Sequence, residues 1–193
     1  TKTRPPDAIR NAVGCGLRDF GENYLQEALD KIGELEDLDL VWHFIGPIQS
    51  NKTRPIATHF HWVHSVDRVK IARRLNDQRP DGLPPLNICL QVNISGEDSK
   101  AGVPPADLAP LAQAFTELPR LRLRGLMAIP APTNDVAQQH ANFGQLRGLL
   151  EEMRQIAPAA DTLSMGMSAD MEAAIAEGAT IVRIGTDIFG PRD

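Results

Sequence analysis

Two hydrophobic rhythms alternate from one end of the chain to the other. Segments with apolar residues three or four apart predict helices, and short apolar runs between turn residues predict buried strands. Pro5 opens the first helix, with Ala8, Ile9, Ala12 and Val13 as its stripe up to Gly14 and Gly16. A strand over 18–21 comes next, then a helix from about Asn23 with Leu25, Ala28, Leu29 and Ile32 inward. The pattern continues with a strand over 41–45 closed by Gly46-Pro47, a helix over 50–59 and a strand over 61–66. Asp67 is placed to cap a helix through Val69, Ala72 and Leu75. A strand over 86–94 reads as fully buried, followed by a helix over 105–118. A strand over 121–129 ends at Pro130 and Pro132, and the longest helix covers 136–156. The last segment holds a strand over 162–167, a turn at Ser168 opening a helix with Met171, Ala174 and Ile175 on one side, a stop at Gly178, and a buried strand over 181–186.

Seven strands alternate with helices and no two strands are consecutive, the order expected of βαβ units on a parallel sheet. One more strand before Lys2-Thr3-Arg4-Pro5 would close an eight-stranded barrel. The expected fold is therefore α/β, a (β/α)8 TIM-type barrel in one domain over 1–193, its first strand and a helix lying upstream of residue 1. An open doubly wound sheet is the competing fold. It calls for a phosphate loop near its first strand, and neither G-x-G-x-x-G nor G-x-x-x-x-G-K-[ST] occurs.

Composition adds mostly exclusions. The chain is 42% hydrophobic and 23% charged with a formal net charge of −5, ordinary for a globular protein. No basic run stands out, so nucleic acid is not an expected partner. No apolar run has membrane-spanning length and no signal-peptide pattern is visible, so no membrane is expected either. Cys15 and Cys89 are far apart without metal-type spacing and read as two reduced thiols in a cytoplasmic protein.

The candidate chemistry gathers at strand ends. Ser168, as the start of a helix after a strand, would offer a hydroxyl and first-turn N–H groups to an anion such as phosphate. Arg183 shares the parity of Ile181 and Gly185, which puts its guanidinium on one face of a buried sheet, where it needs an acceptor. Gly185-Thr186 makes a second exposed turn, and barrels hold phosphate between the ends of their last two strands. Lys2, at the mouth of such a barrel, could form a Schiff base with an aldehyde. An aldehyde carrying both a phosphate and a ring nitrogen is pyridoxal 5'-phosphate (PLP), with Lys2, Ser168 and Arg183 at its three ends. The segment Trp42–Ile56 concentrates His43, Gln49, Asn51 and Lys52 around Gly46-Pro47, against the alternative of one core histidine and a polar helix start. Asn23 belongs to a polar strand end, F-G-E-N-Y. Met127 reads as core rather than as a wall for a flat ring, and Arg4, Arg10 and Arg18 read as surface charges. His59, His61 and His64 alternate, but no Cys or carboxylate set nearby completes a metal site.

Six motifs carry a resemblance across essentially the whole chain: T-K-T-R-P, F-G-E-N-Y, W-H-F-I-G-P-I-Q-S-N-K, R-L-R-G-L-M-A-I-P, L-S-M-G-M-S-A-D-M-E-A-A-I and V-R-I-G-T-D-I-F-G. They resemble the pyridoxal phosphate homeostasis proteins, single-domain barrels similar to the N-terminal domain of alanine racemase. The resemblance implies that Lys2 bears the cofactor, that Met167, Ser168, Gly185 and Thr186 hold its phosphate, and that Arg183 faces the pyridine nitrogen. Asn23 is counted with this cofactor set. Thr1 and Arg4 stand where members often have Ser and Lys. The resemblance further implies PLP homeostasis in vitamin B6 metabolism without established catalysis, PLP-dependent apo-enzymes as acceptors, and a monomer. Two other readings are a small PLP-dependent amino-acid racemase and an isomerase that binds a sugar phosphate without cofactor. Racemisation calls for an acid–base group on each face of the α-carbon, and Tyr24, the only tyrosine, is expected to pack at a helix start instead.

Overall fold

Short β-branched and aromatic runs flanked by Gly, Pro and polar turns form strands wherever the pattern expects them, and the seven strands join one sheet. In this computed structural model, which describes residues 1–97 and 101–191, they are β1 (Asp19–Glu22), β2 (Val41–Phe44), β3 (Trp62–Val66), β4 (Leu86–Gln91), β5 (Leu121–Met127), β6 (Thr162–Met167) and β7 (Ile181–Arg183). They are hydrogen-bonded in sequence order, and every neighbouring pair is parallel. A doubly wound sheet would reverse direction at a switch point, so this order excludes it.

Helices supply the outer layer: α1 (Pro6–Gly14), α2 (Leu25–Glu34), α3 (Thr53–His59), α4 (Val69–Gln78), α5 (Leu108–Gln113), α6 (Val136–Met153), α7 (Met171–Ala176) and α8 (Thr186–Phe189). Phe44 of β2 packs edge-on against Phe60, which follows α3, and on the same outward face Phe20 of β1 tilts onto Trp42 of β2. Ile56, Ile71, Leu75, Phe143 and Leu146 are fully buried in this layer, each worth about 1.5–3 kcal/mol.

The sheet curls into a nearly closed barrel, and one contact proves the curl. His64 on β3 and Ser164 on β6 lie three strands apart, roughly 14 Å in a flat sheet. Their Nδ1 and Oγ atoms are nevertheless 2.8 Å apart. The first residues lie along the free side of β1. Arg18 and Glu22 send their carbonyls to β2, so the Gly21 carbonyl points the other way, and it accepts from the Thr1 nitrogen. Arg4, expected as a surface charge, is half-buried and donates to the Gly190 and Pro191 carbonyls, tying the chain's start to the segment after β7.

Several boundaries differ from expectation for identifiable reasons. Asp67 does not cap α4: the N-cap is Arg68, whose own Nη1 occupies the Asp67 carboxylate at 2.9 Å. The helix expected over 105–118 breaks into α5 between two 3₁₀ turns, and Pro110, inside α5, has no N–H to give. β4 stops at Gln91, and β7 is only three residues long and half-buried rather than buried. Ile175 of α7 faces solvent at 55% exposure, so Ala173 and Ala174 form that helix's buried face. Among the described residues no helix is long and apolar enough to cross a membrane.

Candidate functional site

The C-terminal ends of β6 and β7 and the start of the chain meet at one rim. Met167 pairs with Arg183 in the β6–β7 register, so Ser168 and Gly185 stand just beyond matched positions. Gly166 makes this end possible. Its φ is +92°, and a Cβ there would come within 2.5 Å of the Ala174 Cβ, so only glycine lets α7 close onto β6. Gly46 does the same at the end of β2, where a Cβ would meet the Asn23 carbonyl oxygen at 2.0 Å.

The turn after β6 corrects one expectation. Ser168 does not open the helix: α7 begins at Met171 with Asp170 as N-cap residue, and the Met167 N–H donates to Asp170 Oδ1 at 2.7 Å. The short carboxylate claims that amide and pushes the helix start three residues on, leaving Ser168 half-buried in the turn. Thr186 is also not strand but the first residue of α8, with Gly185 as its N-cap. The N–H groups of Thr186 and Asp187 in that first turn have no intrahelical acceptor.

Arg183 is held from β6 and from the residue just after β5. Its Nη1 donates to the Ser164 carbonyl and to Ser164 Oγ, both at 2.8 Å, and its Nη2 donates to the Ala128 carbonyl at 2.9 Å. Burial lowers its pKa to about 10, opposed by charge interactions with Cys89 and Asp170. The guanidinium thus lies inside the barrel at the level of Ser164, just below the rim, as its parity in the sequence required.

Lys2 is half-buried, with its Nζ 4.6 Å from the centre of the Tyr24 ring. That ring belongs to the residue preceding α2, just past the C-terminal end of β1, so Lys2 stands on the same rim. Thr3 has a positive φ of 60°, which turns the chain sharply after the lysine. Asn23 is half-buried at the end of β1, and Met167 is 40% exposed. Gln49, Asn51 and Lys52 are exposed and make no contact with this set, and Met127 is fully buried core.

The chain matches the family model for the alanine racemase N-terminal domain over residues 6–193. It is 68% identical over 193 residues to the pyridoxal phosphate homeostasis protein of Pseudomonas aeruginosa, covering 100% of this chain and 83% of that protein. The chain belongs to the pyridoxal phosphate homeostasis protein family. The Escherichia coli K12 member is 56% identical over 196 residues, covering 100% of this chain and 84% of that protein. Among solved structures, PipY of Synechococcus elongatus with PLP bound superposes with a TM-score of 0.91 at 43% identity, covering 98% of this chain and 89% of that one.

Within this family member the barrel interior is more polar than its motifs suggested. His43, read either as part of a polar cluster or as a core histidine, points inward and is 6% exposed. Its Nε2 lies 3.0 Å from Asp19 Oδ1 and its Nδ1 2.9 Å from His64 Nε2. Burial lowers the pKa of His43, opposed by the Asp19 hydrogen bond. Burial lowers that of His64 well below the ordinary 6.5, with His43 and Arg183 adding to the effect. Cys89 on β4 faces the same interior and is pushed up to about 12 by burial. Trp62 stacks on His43 with ring centres 5.6 Å apart, and the Arg124 guanidinium carbon lies 4.7 Å from the centre of the Trp62 ring. A second buried polar group lies outside the barrel wall, where Lys31 Nζ of α2 donates to Glu22 Oε1 at 2.9 Å and to the Thr1 carbonyl at 2.7 Å. Among the described residues, no group of three or more His, Cys, Asp and Glu could hold a metal ion.

Proposed function

We propose that this protein binds PLP at the rim of its barrel and serves intracellular PLP homeostasis. The observation that carries the reading is the Arg183 guanidinium, fixed by three acceptors inside the barrel on a residue whose backbone pairs with Met167, next to Ser168. The donor set fits the cofactor. Ser168 and the first turn of α8 offer a hydroxyl and uncommitted N–H groups, and a Cβ at Gly185 would meet nothing within 4 Å, so that side of the rim is open. The relatives' names and the PLP-bound PipY agree with this choice of ligand.

In this reading Lys2 takes the aldehyde, Arg183 faces the ring nitrogen, and Ser168, Gly185 and Thr186 hold the phosphate. Met167 lends its side chain, since its N–H is committed to Asp170, and Asn23 lines the rim near Lys2. When bound, PLP supplies an aldehyde that condenses with amines and a ring that draws electrons from them. Arg183 limits the second property. A guanidinium whose pKa is still about 10 donates to the ring nitrogen and leaves it unprotonated, which weakens the electron sink. Tyr24 lies against the Lys2 amine, on the lysine's own side, and not opposite it as a second acid–base group would have to be. The protein therefore carries the cofactor without turnover, in a cytoplasm where Cys15 and Cys89 stay free, and passes it to apo-enzymes as a monomer.

Borohydride reduction after incubation with PLP, followed by peptide mass analysis, tests the site. Lys2 should carry the added mass, and Lys2→Ala should carry none while keeping its circular dichroism spectrum. Label on a different lysine in the unmodified protein would overturn the assignment. Sustained formation of D-amino acids from L-amino acids, followed by chiral chromatography and lost in Lys2→Ala, would replace the carrier with a racemase.

A further inference from the structure

We propose that Asp19, His43, His64 and Ser164 form one directed hydrogen-bond chain through the barrel that positions Arg183 from its far end. The proposal rests on the reading that Arg183 faces the ring nitrogen of PLP. It concerns positioning residues, since none of the four is at the rim.

The direction of every bond follows from the two ends. A guanidinium can only donate, and an ionised carboxylate can only accept. Arg183 Nη1 gives a hydrogen to Ser164 Oγ at 2.8 Å, and the Ser164 hydroxyl hydrogen goes to its other neighbour, His64 Nδ1, at 2.8 Å. The reverse order through two neutral rings would set a bare His43 Nε2 against the Asp19 carboxylate. His64 Nδ1 is then bare, and in the neutral ring Nε2 carries the hydrogen and donates to His43 Nδ1 at 2.9 Å. His43 must in turn donate from Nε2 to Asp19 Oδ1 at 3.0 Å. Both imidazoles hold the Nε2–H tautomer, and four bonds point the same way from cation to carboxylate.

The chain crosses β7, β6, β3, β2 and β1 and links the rim to the opposite end of the barrel. His64 and Ser164 are 1% and 0% exposed, whereas the Asp19 side chain is 69% exposed at the start of β1. No link can reverse alone, because turning one tautomer would set two donors or two lone pairs face to face. Ser164 therefore always shows Arg183 a lone pair, and the guanidinium keeps one orientation. The other charged and titratable groups around the chain are few. His61 opposes protonation of His43, Asp170 and Cys89 lie near Arg183, and Arg124 is paired with Asp161 beside Trp62.

Long-range nitrogen–proton NMR on the ligand-free protein at pH 7.5 reads the tautomers directly, with His43→Gln and His64→Gln assigning the signals. Both rings should show protonated Nε2 and bare Nδ1; a protonated Nδ1 on either would overturn the proposal. Asp19→Asn should lower the protonation midpoint of His43 by about one pH unit, since the carboxylate that favours the imidazolium is gone. Ser164→Ala leaves the backbone carbonyl for Arg183 but cuts the chain. It should weaken PLP binding about fivefold, the worth of one neutral hydrogen bond, and alter the pH profile of the bound absorbance band. Unchanged binding and an unchanged profile in Ser164→Ala, with Lys2 still labelled by borohydride, would overturn positioning while leaving the PLP site intact. Loss of PLP labelling at Lys2 in the unmodified protein would instead overturn the site and, with it, this role for the chain.

Discussion

Replacing Arg183 by Met removes the guanidinium while keeping a side chain of similar length. Burial moves the group from the ordinary 12.5 to about 10, a penalty on its charged form of about 3 kcal/mol at about 1.4 kcal/mol per tenfold change in proton affinity. Against this stand three hydrogen bonds from a charged donor, worth about 1.5–3 kcal/mol each. The bonds outweigh the burial, and the Met variant leaves buried acceptors on Ser164 and Ala128 without their donor. A net loss of about 2 kcal/mol or more follows. In urea, with slopes of about 1–3 kcal/mol per molar, the midpoint of the ligand-free protein should fall by about 1 M. Arg183→Lys should recover only part of this, because a point charge cannot reach Ser164 and Ala128 together as the planar fork does. A Met variant as stable as the unmodified protein would refute the balance, showing that desolvation cancels the hydrogen bonds.

Ser168→Ala should cost about 1.5–3 kcal/mol of PLP affinity by loss of one charge-assisted bond, measured by titration calorimetry, and pyridoxal without its phosphate should bind far more weakly. Gly166→Ala should destabilise by about 2 kcal/mol or more in thermal melts, because the new Cβ meets both an unfavourable φ and the Ala174 methyl. Acid should also destabilise the fold. His43, His61 and His64 have folded pKa values below the ordinary 6.5, so the unfolded chain binds more protons in that window. Their contribution is complete above 6.5 and is lost as pH falls below it, about 1.4 kcal/mol for each tenfold difference in proton affinity at the buried His43 and His64, and less at His61, which solvent screens. Urea midpoints should therefore drop between pH 7 and pH 5, and His64→Gln should flatten that slope.

The strands were legible because each is a short apolar run with punctuation at both ends, and the alternation with helices left a parallel sheet as the natural arrangement. Arg183 was legible for a different reason: a charge inside an apolar strand has to find acceptors, and its parity told which face they would be on. The polar interior was much harder to see. His43 sits in W-H-F and Ser164 in L-S-M, where neighbours on the outward face hide the inward residue within a continuous apolar run. The partners of His64 are 21 and 100 residues away, so nothing local marks the chain they form. The buried Lys31–Glu22 pair escaped for the same reason, since Lys31 looks like the polar side of an amphipathic helix until β1 is brought against it. The turn at Ser168 failed on a rule of capping. Asp170, two residues on, competes for the helix start and takes the Met167 amide.

Cys89 gives the barrel its own clock. Fully enclosed beside Arg183, with its thiol pushed up to about 12, it cannot meet an alkylating reagent until the strands part, whereas exposed Cys15 reacts at once. The slow second labelling event then times how often the interior opens. Performed with and without PLP, the same labelling reports how firmly a ligand at the rim keeps the strands together below it.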